Sequence, residues 1–182
     1  MATLHEKLFS SLHSFELASS LGLKGFLIFI SEMALSIVKG LLDQYIQSLV
    51  DEGILSYQFS QIHTSKTLER PDCVEQLINT YCNDVEAILL ELTSNIDRPD
   101  VDFTQMAALA RQVGERSASI GAEHVRLACS DLIRACDLMH KKNFSRALNL
   151  IKNEFARTRY KLLAVAQMEQ RIMRLEMKRQ QQ

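Results

Sequence analysis

Proline and glycine are scarce in this sequence, and tryptophan is absent. Only two prolines and six glycines occur among 182 residues. Pro71 and Pro99 both stand between stretches of periodic apolar residues, so few signals interrupt a helix. No stretch alternates apolar and polar residues with period two, and we therefore assign no β-sheet. The sequence predicts an all-α protein.

A strong excess of charge is also missing. The formal net charge is −1 at pH 7, which provides no broad basic surface for nucleic acid or acidic lipid. The basic residues near the C-terminus are interpreted as the solvated end of a helix, where cations also suit the helix dipole. We expect neither nucleic-acid nor membrane partners.

Long hydrophobic runs and cysteine pairs are missing as well. Residues 21–38 are the most apolar stretch, but Lys24 and Glu32 interrupt it, and its longest uncharged run is 25–31, whereas a bilayer span needs about 20 residues. The first twenty residues lack the basic start and cleavage pattern of a secretory signal. The four cysteines form no CxxC pair and no zinc-type cluster with histidine. These absences predict a soluble protein with reduced thiols, in the cytoplasm and the nucleus, without a metal or cofactor.

Apolar residues recur at steps of three and four along most of the chain, which is the spacing of amphipathic helices. A first stripe carries Ile37, Leu41, Tyr45 and Leu49, and a short apolar piece at 54–62 precedes a polar loop at 63–70. Four longer stripes follow, and they begin at Val74, Phe103, Val125 and Phe144.

Cap residues mark the ends of these later stripes. Asp72 with Glu75 forms a plausible capping box after Pro71, Asp102 is the candidate cap of the next helix, and Gly121 is its candidate stop. Residues 141–143 are predicted as the turn before the last helix. Long helices with short connections favour an antiparallel four-helix bundle, with two additional N-terminal helices packed alongside it.

Motifs that carry covalent chemistry are absent from the sequence. It contains no GxGxxG, GxxxxGK[ST], HExxH or GxSxG, and it lacks the pair of ExxH motifs of a di-iron bundle. His5, His13 and His63 fall in the extension or in loops, and His124 and His140 fall near helix ends. We predict no catalytic residue and no enzyme activity.

The segment from Arg111 to Ala122 reads RQVGERSASIGA. It resembles the phosphorylation-site helix of plant histidine-containing phosphotransfer proteins, whose pattern is HQLKGSSSSIGA. Residues 45–59 and 71–92 look like the opening helices and the first bundle helix of that family, and Cys129 and Cys136 match the helix after the site. The resemblance covers roughly residues 36–175 and implies the family's helical bundle.

Three departures from the family pattern lie at its chemical centre. The phosphoryl-accepting histidine falls on Arg111, the lysine three residues later on Gly114, and the glycine after it on Glu115. A guanidinium stays protonated and offers only hydrogen-bond donors, so Arg111 has no lone pair with which to accept a phosphoryl group. The chain therefore resembles the pseudo histidine-containing phosphotransfer proteins, which keep the bundle and lose the acceptor.

The resemblance also implies a surface that docks on receiver domains of sensor histidine kinases and response regulators. With Ala110 in the core, Arg111 lies about 100° and Glu115 about 140° around the helix from it. The candidate docking residues are Thr104, Ala107, Ala108, Arg111, Gly114, Glu115 and Ala118. Arg111 and Glu115 could also be an ordinary exposed ion pair one turn apart.

The function expected from the resemblance is that of a non-catalytic phosphorelay adaptor. It binds receivers and damps cytokinin signalling by competing with active phosphotransfer proteins. Two alternatives stay open: an active phosphorelay mediator that uses another residue, and a helical scaffold with unrelated partners. Because family members usually begin near the equivalent of Met33, we divide the chain into an extension at 1–32 and a bundle at 33–182, and we expect a monomer.

Overall fold

The computed structural model describes residues 23–65, 73–96, 98 and 100–180. These residues form six α-helices and no β-strand, so the all-α prediction is confirmed. The helices are α1 (Leu23–Asp51), α2 (Tyr57–Thr64), α3 (Cys73–Ile96), α4 (Phe103–Ile120), α5 (Glu123–Asp137) and α6 (Lys141–Gln180). Within the described parts of the chain, no helix is long and apolar enough to cross a membrane.

Helices α3 to α6 form the predicted four-helix bundle. Helix α4 packs on α3 and α5, and α6 closes the ring by packing on α5 and α3. The side-chain pairs between α6 and α3 run in opposite directions along the two helices: Lys152 with Thr93, Arg159 with Glu86, and Gln170 with Glu75. Because the connections between successive helices are short, neighbouring helices are antiparallel.

Helix α1 lies antiparallel to the long helix α6, outside the bundle. Two ion pairs join them: Nζ of Lys161 on α6 is 3.1 Å from Oε2 of Glu52, and Nζ of Lys39 on α1 is 2.7 Å from Oε1 of Glu176. The apolar stripe predicted for α1 is only half right: Leu49 is buried and Tyr45 packs against the core, but Ile37 and Leu41 are 48% and 47% exposed. Besides Leu49, the buried face carries Leu35, Leu42 and Ile46. Two apolar stripes with helical spacing overlap in this segment, and the packing against α6 selects one of them.

The proposed boundary between residues 32 and 33 falls inside α1, which is continuous from Leu23 to Asp51. The division into extension and bundle therefore stays a prediction. The predicted cap at Pro71 and Asp72, like His5 and His13, lies outside the described residues.

The two predicted ends of α4 are confirmed. The carboxylate of Asp102 accepts hydrogen bonds from the backbone N–H groups of Thr104 and Gln105 at 2.9 and 3.1 Å. Gly121 ends the helix in the left-handed conformation, with φ of 81°. This combination satisfies free N–H groups at the start of the helix and carbonyls at its end.

The turn predicted at residues 141–143 is wrong, because Lys141 already begins α6. The chain turns just before it, where Met139 has φ of 49°. The backbone N–H of Asn143 donates to Nδ1 of His140 at 3.2 Å, so this histidine caps the start of α6. The sequence analysis predicted a turn here because Lys141 and Lys142 are typical of a polar loop, and because a histidine is an uncommon helix cap.

Candidate functional site

Helix α4 presents one face to the core and the opposite flank outward. Met106, Ala110 and Val113 are at most 1% exposed, which confirms the predicted core stripe. One side of the helix carries a row of residues three and four positions apart: Thr104, Ala108, Arg111, Glu115 and Ala118. The first four are exposed and Ala118 is half-buried. We call these five residues the Arg111 flank.

Two other predicted docking residues lie differently. Ala107 is 5% exposed and belongs to the core, so it does not share the surface of the flank, although the sequence analysis placed it there. Gly114 is half-buried at the edge of the flank. A Cβ at this position would lie 3.5 Å from Cβ of Cys129, which is an ordinary contact, so the site has room for a Cβ.

Arg111 and Glu115 do not form the ion pair that their spacing allows. Neither side chain makes a hydrogen bond or an ion pair with any of the described residues. The charge of Arg111 nevertheless lowers the pKa of Cys136 on α5, partly offsetting the burial that raises this pKa to about 11. Among the described residues, the donors of the Arg111 guanidinium therefore have no hydrogen-bond partner.

Arg116 behaves differently from Arg111, one and a half turns away. Its guanidinium pairs with the carboxylate of Asp84, and it thus ties α4 to α3. The sequence analysis did not identify this pair. No local signal could have revealed it, because the two residues are 32 positions apart and meet only when the helices pack.

A buried polar contact fixes α4 against α3 below the surface. The hydroxyl oxygens of Tyr81 and Ser117 are 3.1 Å apart and form a hydrogen bond in the core. Burial raises the pKa of Tyr81 well above its usual value of 10. This bond satisfies a hydroxyl that would otherwise be costly to bury, and it holds the register of α4.

None of the described histidines lies on the Arg111 flank. His63 is in the last turn of α2, and the loop predicted for it is wrong. Its Nε2 is 2.9 Å from Oε1 of Glu169, which is 3% exposed. His124 is half-buried, with Nδ1 3.3 Å from Oε2 of Glu154, and His140 caps α6. None of the three is placed to replace Arg111 as a phosphoryl acceptor.

The described residues also contain no cluster of three or more His, Cys, Asp or Glu side chains that could hold a metal ion. Cys82, Cys129 and Cys136 are buried thiols, and Cys73 is an exposed one. What the flank can offer chemically is a guanidinium that has no partner among the described residues and lies next to small side chains, which suits recognition of an anionic group.

Comparisons with known proteins agree with this architecture. No family model matches the chain. Over 131 residues it is 31% identical to histidine-containing phosphotransfer protein 1 of Arabidopsis thaliana, covering 72% of this chain and 85% of that protein. It is 29% identical to histidine-containing phosphotransfer protein 1 of Oryza sativa subsp. japonica, over 77% of this chain and 95% of that protein.

Pseudo histidine-containing phosphotransfer proteins are also among the relatives. One from rice is 28% identical over 64% of this chain and 77% of its own length. An X-ray structure of a rice histidine-containing phosphotransfer protein superposes with a TM-score of 0.73 at 26% identity, over 77% of this chain and 99% of that one. Identity, coverage and fold agree, and the chain belongs to the family of histidine-containing phosphotransfer proteins.

Proposed function

We propose that this chain is a phosphorelay adaptor without a phosphoryl acceptor, a pseudo member of its family. It docks through the Arg111 flank on receiver domains of sensor histidine kinases and response regulators. By occupying receivers it damps the relay, which in plants is the cytokinin pathway. The single observation that carries the proposal is that Arg111 occupies, on the exposed side of α4, the position that the acceptor histidine takes in the family pattern.

The chemistry of Arg111 supports the loss of relay activity. Phosphoryl relay needs a ring nitrogen with a free lone pair, and a guanidinium provides only donors. The other described histidines are held by Glu169, by Glu154 or at the start of α6. The flank nevertheless keeps small residues at Ala108 and Ala118, which allow close approach of a partner surface.

Phosphoryl transfer with radiolabelled receivers tests this function. The full chain is mixed with a phosphorylated plant receiver domain, alone and together with an active family member from Arabidopsis. We expect no label on this chain, and slower labelling of the active protein as the concentration of this chain rises. A stable phosphohistidine on this chain would show instead that it is an active mediator.

The helical-scaffold alternative makes a different prediction in the same assay. A scaffold with unrelated partners leaves the labelling of the active protein unchanged at any concentration. If this chain slows the labelling of the active protein and a substitution in the Arg111 flank removes that effect, the scaffold is excluded. A nonspecific effect of added protein would not depend on the Arg111 flank.

A further inference from the structure

The arginines of helices α3, α4 and α5, which all lie on α4 and α5, nearly all form ion pairs with carboxylates. These helices carry four arginines and no lysine, and three of the arginines have partners: Arg116 with Asp84, Arg126 with Glu123, and Arg134 with Asp131. Arg111 is the fourth, and its side chain has no hydrogen-bond or ion-pair partner within the described residues. Among the described residues, Arg111 is therefore the arginine of these helices whose guanidinium has no partner, and it lies on the Arg111 flank.

The surroundings of Arg111 keep its donors accessible. Ala108 one turn before it is exposed and small, and Gly114 one turn after it has no side chain at all. Glu115 could neutralise the charge from the next turn, yet it does not bind the guanidinium. An arginine that is exposed, uncompensated and flanked by small residues can turn its planar fork towards an anion on an approaching surface.

We propose that Arg111 senses the phosphorylation state of the docked receiver, by binding the phosphoryl group of an aspartyl phosphate through its guanidinium fork. The inference rests on the proposed function and adds a preference to it. No bond is made or broken: the phosphoryl group stays on the receiver, and the chain binds the phosphorylated form more tightly than the free form. By binding it, the chain removes the phosphorylated receiver from the relay.

The physical basis is the difference between the two receiver states. Phosphorylation adds negative charge and oxygen acceptors, and guanidinium–phosphate pairs form two parallel hydrogen bonds. Charge-assisted bonds of this kind correspond to about a tenfold or greater gain in affinity. Glu115 opposes this gain because it places a carboxylate one helical turn from Arg111.

Titration calorimetry with one plant receiver domain tests the inference. The receiver is used in its magnesium form and again after loading with beryllofluoride, a stable mimic of aspartyl phosphate. The full chain is compared with Arg111→Gln, Arg111→Lys and Glu115→Gln. Arg179→Gln serves as the matched control, because Arg179 is an exposed arginine in the last turn of α6, far along the chain from the flank.

The expected result is about tenfold tighter binding of the loaded receiver, reduced to less than about threefold in Arg111→Gln and unchanged in Arg179→Gln. Arg111→Lys keeps part of the preference because it keeps the charge and loses the fork, and Glu115→Gln increases it. Beryllofluoride or inorganic phosphate alone gives no measurable heat if the anion must be presented by a receiver.

Two further outcomes separate the inference from the function on which it rests. Equal affinity for both receiver states, or a preference that survives in Arg111→Gln, overturns the phosphoryl-sensing role and leaves receiver docking standing. No binding of either state contradicts the proposed function, and the sensing role falls with it.

Discussion

The backbone N–H of Ser56 donates a 2.7 Å hydrogen bond to the carbonyl oxygen of Gly121. This bond joins the connection between α1 and α2 to the end of the site helix α4. A second bond, from the N–H of Glu123 to the carbonyl of Ile54 at 3.0 Å, reinforces it. The end of α4 is thus held in place by the connection between α1 and α2.

Replacing Gly121 is expected to disturb this junction. Its φ of 81° is unfavourable for other residues, and an added Cβ would lie 2.7 Å from Oγ of Ser56. We predict that Gly121→Ala lowers the free energy of unfolding by about 1–3 kcal/mol, measured by urea denaturation with circular dichroism. Gly40→Ala is the control, because a Cβ at Gly40 on α1 meets nothing within 4 Å. Equal stability of the two variants would contradict the role given to Gly121.

Gly114 is expected to respond in the opposite direction. It lies within α4, and a Cβ there would make only an ordinary 3.5 Å contact with Cβ of Cys129. Alanine is preferred to glycine in a helix interior by about 0.5–1 kcal/mol. We predict that Gly114→Ala raises the free energy of unfolding by about that amount in the same urea assay. A clear loss of stability would show that the seam between α4 and α5 is tighter than the structure indicates.

The four cysteines should differ sharply in reactivity. Burial raises the pKa of Cys129 to about 12 and the pKa values of Cys82 and Cys136 to about 11, so these thiols are both covered and protonated. Cys73 is exposed. We predict one thiol per native chain that reacts rapidly with Ellman's reagent, four in denaturant, and none in native Cys73→Ser. More than one rapid thiol in the native protein would contradict the packing of α3 and α5.

Restoring the family residues should restore phosphoryl acceptance. The three changes Arg111→His, Gly114→Lys and Glu115→Gly fall at exposed or half-buried positions, and the bundle should tolerate them. We predict acid-labile label on the triple variant after mixing with a phosphorylated receiver, and little on Arg111→His alone. The matched control combines Arg111→Gln with the other two changes and should stay unlabelled. A triple variant that binds receivers without accepting label would place the defect beyond these three positions.

The parts of the fold that were predictable depend on local signals. Asp102 and Gly121 mark the ends of α4 through contacts within a few residues, and the core stripe of α4 follows from helical spacing. Half of the stripe of α1 was assigned wrongly because Ile37 and Leu41 have the same spacing as the residues that α6 covers. Periodicity identifies an apolar face but does not select between two overlapping faces.

The parts of the site that were missed depend on long-range packing. Arg116 meets Asp84 and His63 meets Glu169 only after helices distant in sequence are brought together. Ala107 was included among the candidate docking residues, whereas its side chain is buried, with 5% exposed. The assignment of Arg111 to the acceptor position, by contrast, is a prediction made from the sequence pattern alone.

Receiver binding by calorimetry tests the central claim most directly. The full chain is titrated into plant receiver domains beside Ala108→Asp, which adds bulk and negative charge at an exposed position of the flank. Ala156→Asp makes the same change at an exposed position of α6. Micromolar binding that Ala108→Asp abolishes and Ala156→Asp preserves is the predicted result. Binding to no receiver, or equal binding by both variants, would contradict docking through the Arg111 flank.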